Sequence, residues 1–219
     1  MRAFNIPFFI SLVSLFPSPG LSALPNVSTI PLGSNDCARW PGFVDFDYTS
    51  PVNLVVHQAQ NNSVNGLLTT TQDFTLPGNI TGTRLIVNPR NSGSGHPTYR
   101  CESGTLRLHS KINGTSTSTS IPGTIDTIIS VATDSRNAFF ILGEDGFRTA
   151  PYGHEIDGVE QDGVYLGTRG RTTWGFHYVP TDGGYYEIRL AGGTPDQEDE
   201  PAVVSAEPEF YGFLRVVPV

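Results

Sequence analysis

Residues Arg171 to Gly193 read RTTWGFHYVPTDGGYYEIRLAGG, and this stretch predicts a β-hairpin. Trp174, Phe176 and Tyr178 alternate with Gly175, His177 and Val179, the two-residue period of a strand with one buried face. Pro180-Thr181-Asp182-Gly183-Gly184 supplies the turn, because glycine takes a positive φ without steric penalty. On the return strand Tyr186, Ile188 and Leu190 share one side, and Tyr185, Glu187 and Arg189 share the other. The strip of Trp174, Phe176, Tyr178, Tyr186, Ile188 and Leu190 is expected to face a core. Tyr185, Glu187 and Arg189 are then expected to face solvent, as a candidate ligand-binding face on which Tyr185 stacks against a sugar.

An apolar strip needs a covering layer, and the rest of the chain reads as strands that supply one. Val44, Phe46 and Tyr48 alternate with charged neighbours and predict the apolar face of a short strand. Val52 to Ala59 is a strand rich in β-branched residues, and Asn65-Gly66 turns it into Leu67 to Thr71. Phe74 to Leu76, Arg84 to Val87, Tyr99 to Cys101, Thr105 to His109, Ile125 to Val131, Ala138 to Leu142, Phe147 to Thr149, Val164 to Leu166 and Glu209 to Val219 read as further strands. Leu24 to Trp40 is an irregular lead-in, and residues 194–208 (TPDQEDEPAVVSAEP) form an acidic loop. No 12-residue window shows a helical period. The expected fold is all-β, a single-domain antiparallel β-sandwich or β-barrel over residues 24–219 with the N- and C-terminal strands both in the core; a β-trefoil is the alternative.

Residues 1–23 have the layout of a secretory signal peptide: Arg2, an apolar run from Ala3 to Phe16, then Pro17, Pro19 and Gly20 before Leu21-Ser22-Ala23. The run falls short of the roughly 20 apolar residues that span a bilayer, so no membrane attachment is expected once the signal is cut. Secretion places Cys37 and Cys101, the chain's two cysteines, in an oxidising compartment, where they are expected to pair. Asn26, Asn61, Asn79 and Asn113 each head a glycosylation sequon. A formal charge of −8 argues against a nucleic-acid partner.

Chemistry-bearing motifs are sparse. Ser92, Ser94 and His96 share a Gly-rich loop, without an orienting acid to make a triad. His57, His96, His109, His154 and His177 are scattered, and His154-Glu155 with Asp157 reads as a surface turn, so no metal or other cofactor is expected. The acidic run Asp196, Glu198, Asp199 and Glu200 matches no calcium loop and reads as a solvated segment. Glu144, Asp145, Glu155, Asp157, Glu160 and Asp162 offer carboxylate pairs of the kind a glycosidase uses, and sequence does not choose among them.

Three places together resemble a family of small secreted proteins of filamentous fungi with no assigned function. They are Ser50-Pro51-Val52-Asn53-Leu54-Val55-Val56 with Asn65-Gly66, Trp174 with Gly184-Tyr185-Tyr186 and Gly192-Gly193, and the closing Arg215-Val216-Val217-Pro218-Val219. The chain departs from that family in lacking further cysteines after the Asn-Gly turn. The resemblance implies a secreted fungal β-protein and implies no activity.

The expectation that follows is a secreted, glycosylated, non-catalytic protein of the cell wall or extracellular space that binds carbohydrate or another wall polymer, or serves a structural part there. The alternatives are an extracellular hydrolase acting on polysaccharide and an effector-like protein that binds a host partner.

Overall fold

The computed structural model describes residues 21–33, 36–76, 80–90, 96–110, 127–131, 138–141, 147–191 and 210–219. The apolar leader up to Gly20, the sequons at Asn79 and Asn113, Ser92 and Ser94, Glu144 and Asp145, and the acidic loop at 194–208 lie outside them. The described strands are β1 (Ser28–Pro31), β2 (Val52–His57), β3 (Thr69–Leu76), β4 (Ile80–Val87), β5 (Thr98–Glu102), β6 (Thr105–Ser110), β7 (Thr127–Val131), β8 (Ala138–Ile141), β9 (Phe147–Arg148), β10 (Ala150–Ile156), β11 (Val159–Gly167), β12 (Thr173–Val179), β13 (Tyr185–Leu190) and β14 (Phe210–Pro218). Between them lie two short 3₁₀ turns, Asn62–Val64 and Thr181–Gly183, and no α-helix among the described residues.

The fold is all-β and antiparallel. The strand path runs β1-β10-β11-β14-β12-β13-β4-β8-β7-β6-β5-β2, with β3 on β4, β9 on β7, and a further pairing of β14 with β2. It does not close into a barrel. Among the described residues β1 ends the path paired with β10 alone, and one residue pair, Val52 with Tyr99, joins β2 to β5. The arrangement is consistent with the expected sandwich.

β12 and β13 form the hairpin expected from their alternation. Trp174 pairs with Leu190, Phe176 with Ile188 and Tyr178 with Tyr186, across a turn in which Gly183 and Gly184 take φ of 87° and 84°. Trp174 and Phe176 are fully buried, and the Trp174 indole N–H donates to the Leu166 carbonyl at 2.9 Å. They belong to one core with Leu54, Val56, Leu85, Tyr99, Leu106, Phe210 and Leu214.

β14 is the strand the others rest on. Its first half pairs with β12, its second half with β2 on one edge and β11 on the other. The C-terminal strand therefore lies in the core, as expected. At the N-terminal end β2 does too, whereas β1 is a half-exposed edge strand.

Three expectations change. Residues 41–50 form a fastened loop in place of a strand, because the Asp45 carboxylate accepts from the backbone N–H of Asp47 (2.8 Å) and Tyr48 (2.9 Å), drawing them away from a sheet ladder. The Asn65-Gly66 turn forms, and Val56 donates to the Leu67 carbonyl, but the chain then leaves β2 and β3 pairs with β4. His154 lies in a strand instead of a surface turn. β10 was hidden by Pro151 and Gly153, residues that weaken a strand reading. Its hairpin to β11 turns at Asp157 and Gly158, with φ of 52° and 78°.

Candidate functional site

Cys37 and Cys101 are joined by the expected disulfide, with Cα atoms 5.6 Å apart and both residues fully buried. The bond ties the lead-in to β5 and anchors a knuckle of chain between them. Five backbone bonds complete the fastening: Cys37 N–H to Phe46 O, Asp45 to Tyr48, Ser50 to Gly42, Thr49 to Cys101, and Ser103 to Asp47, all between 2.7 and 3.2 Å. The Thr49 hydroxyl accepts from the Cys101 N–H at 2.9 Å, locking the knuckle base against β5.

A loop held this firmly presents side chains that packing would otherwise hide. Phe43, Val44, Phe46 and Tyr48 are 48%, 49%, 65% and 45% exposed. They are half of the exposed large apolar side chains among the described residues, gathered within six positions, and scattered single exposures would need no explanation. Phe43 and Phe46 meet edge to face at 5.7 Å. Beside Tyr48 opens a notch of about 210 Å³, lined by Asp47, Tyr48, Arg100, Glu102 and Ser103. Glu102 sits between Arg100 (3.5 Å) and Arg107 (3.4 Å), so the rim offers carboxylate acceptors and guanidinium donors together.

The other face of the hairpin is not a surface. Tyr185 is 2% and Glu187 6% exposed, which corrects the expectation that Tyr185, Glu187 and Arg189 face solvent. The reason is Arg84 of β4, which lies across that face. It donates to the Tyr185 hydroxyl at 2.6 Å and to Gln72 Oε1 at 3.0 Å, and it pairs with Glu187. Arg189 holds the other Glu187 oxygen at 2.8 Å. The Glu187 carboxylate and the Tyr185 hydroxyl thus find their partners within the fold. Tyr178, by contrast, expected in the core, is 45% exposed, because the strip runs past the end of the packed layer. Burial, with Arg189 alongside, lowers the pKa of His177, while Glu187 opposes.

His154 and Thr172 look like a base and a hydroxyl, with Nε2 and Oγ1 2.7 Å apart. Both are sealed, at 0% and 1% exposure. The imidazole stacks on Tyr165 at 3.6 Å and meets Phe213 edge-on at 4.6 Å. Burial, with His57 nearby, pushes its pKa down to about 4. It is a neutral core residue. Among the carboxylates, Glu155 stands opposite Glu160 across β10 and β11. Glu160 and Asp162 are exposed and line an open depression of about 560 Å³ with Leu32, Ala38 and Arg39. A glycosidase needs its two carboxylates across a bound sugar; these project from one exposed hairpin. Among the described residues no three His, Cys, Asp or Glu side chains group to hold a metal.

Of the sequons, Asn26 is exposed. Asn61 is half-buried and caps the 3₁₀ turn, its carbonyl oxygen accepting from Ser63 N–H and Oγ while its amide nitrogen makes no bond among the described residues. No family model matches this chain, and no curated protein matches it in sequence.

Proposed function

We propose that the protein is a secreted, glycosylated binding protein of the cell wall or extracellular space, and that it takes hold of polysaccharide through the knuckle at residues 43–48. One observation carries this reading: three aromatic rings stand exposed on a loop fastened by a buried disulfide and a backbone network. Rigid exposed rings match what a sugar-binding platform needs, because stacking on a pyranose loses little side-chain entropy when the ring is already fixed. The adjoining notch is smaller than the roughly 300–1,000 Å³ of a small-molecule pocket, which suits one unit of a longer chain. Its acceptors and donors suit hydroxyl groups.

The test is retention of the purified protein on a panel of insoluble and soluble polysaccharides. Phe46→Ala and Tyr48→Ala are expected to abolish retention while leaving the melting temperature unchanged. Equal retention of both variants and the parent would exclude the knuckle. Capture by a protein in place of every glycan would favour the effector-like alternative.

A further inference from the structure

A second place in the fold, independent of the knuckle, carries an unbalanced charge. Along β14, Leu214 and Val216 point into the core around Trp174, so Phe213, itself buried, and Arg215 occupy the opposite face. Arg215 stands directly opposite Tyr165 of β11 and Val55 of β2, and His57 stands opposite Phe213. Cross-strand neighbours share a face, so Arg215, Tyr165 and His57 converge. The His57 and Tyr165 rings are 5.7 Å apart.

The backbone has made room for the guanidinium. It lies over Gly163, where a Cβ would come within 2.5 Å of Nε and 3.0 Å of Cζ and Nη2. Gly163 sits at φ +117° beside the point where the β10–β11 register shifts, a conformation that side-chain-bearing residues avoid. The seat is thus specified twice over. What occupies it is not neutralised. Arg215 is half-buried, its Nε is cut off from solvent with no hydrogen-bond partner, and among the described residues no carboxylate forms an ion pair with it. Asp162, next in sequence to Gly163, is exposed and unpaired with it. In a chain with 21 acidic and 13 basic residues, an arginine held part-way out of water without a counter-charge runs against both composition and solvation.

We infer that Arg215 and His57 form a binding site for an oxyanion, a carboxylate, sulfate or phosphate group, seated between β2, β11 and β14. The planar guanidinium offers two parallel donors to such a group, and the His57 imidazole adds a third. His154 faces the same cluster but is neutral and bonded to Thr172, so it contributes shape. Burial and the Arg215 charge hold the His57 pKa below its ordinary value. A bound anion reverses that influence, so binding raises the pKa and strengthens as the pH falls toward it.

The experiment follows the His57 imidazole resonance of the full chain during titration with sodium sulfate, sodium phosphate or sodium glucuronate, each against sodium chloride of matched ionic strength. The expected result is a saturable shift with a raised His57 pKa, weakened about tenfold or more in Arg215→Gln, the loss of one charge-assisted bidentate contact. Arg215→Lys, which keeps the stem's packing, is expected to bind more weakly than the parent and serves if the Gln variant does not fold. Preference for glucuronate assigns a carboxylate, as in an acidic polysaccharide; preference for sulfate or phosphate assigns a tetrahedral anion. A response no different from chloride, or one that both Arg215 variants leave intact, overturns the site. Neither result depends on whether the knuckle binds glycan.

Discussion

Two aromatic stretches, 43–48 and 174–186, have nearly the same local texture and opposite fates. Both alternate apolar with polar residues. In the first, three of three rings stand in solvent, while in the second Trp174, Phe176 and Tyr185 are buried and Tyr178 alone is well exposed. The difference lies in what each stretch is fastened to. The knuckle spends its backbone bonds on itself and on the turn of β5, so its side chains have no facing layer. The hairpin has a layer on each side: the core on one and the Arg84 network on the other. Alternation reports that two faces differ; it does not report that either is wet.

The sharpest way to break the comparison is Trp174→Ala. It is expected to cost about 3–5 kcal/mol, since a fully buried indole and its bond to Leu166 are lost together. Denaturant titration measures it, and a loss under about 1 kcal/mol would show the hairpin to be peripheral.

Acid probes a third buried ring. The unfolded chain protonates His154 near its ordinary value of 6.5, while the folded chain holds out to about 4. Below pH 6.5 the unfolded state therefore binds more protons. Stability is full above that pH and falls by about 3 kcal/mol by the time the pH reaches the folded value. The lowered pKa values of His57 and His177 act in the same direction. Melting temperatures from pH 7 down to 4, compared with His154→Gln, check it; parallel curves would remove His154 as the cause.

Tyr185→Phe separates a buried polar face from a binding face. Loss of the hydroxyl that accepts from Arg84 is expected to lower stability by about 1 kcal/mol and leave glycan retention unchanged. Smallest in stability is Phe46→Ala, expected within about 0.5 kcal/mol of the parent although it removes the most exposed ring of the knuckle. If calorimetry shows a loss comparable with Trp174→Ala, the two stretches are alike after all.

Much of the fold was legible where the signal is local. The β12–β13 register follows from alternation and two glycines, the β5–β6 hairpin from Ser103-Gly104, and the disulfide from there being two cysteines. What escaped was set by partners distant in sequence. Nothing near Tyr185 announces Arg84, a hundred positions earlier, and nothing near Phe46 announces that its strand-like pattern would be undone by one aspartate and a disulfide. Alternation at 43–48 predicts the apolar face of a strand, a pattern that conceals its rings as a surface. The seat of Arg215 needed Gly163, which sequence presents only as one glycine among 24.

The place of β14 also governs time. β2, β11 and β12 are all made before it, and each pairs with it along an edge it supplies. A chain emerging from a ribosome or a translocation pore therefore carries these strands with that partner still missing, and contacts of such long sequence separation form slowly. Until residues 210–218 arrive, the edges of β2 and the β11–β12 segment stand open, the state in which β-proteins are most prone to pair with a neighbouring chain. Folding of this protein is in that sense a wait, ended by one strand that settles three others at once.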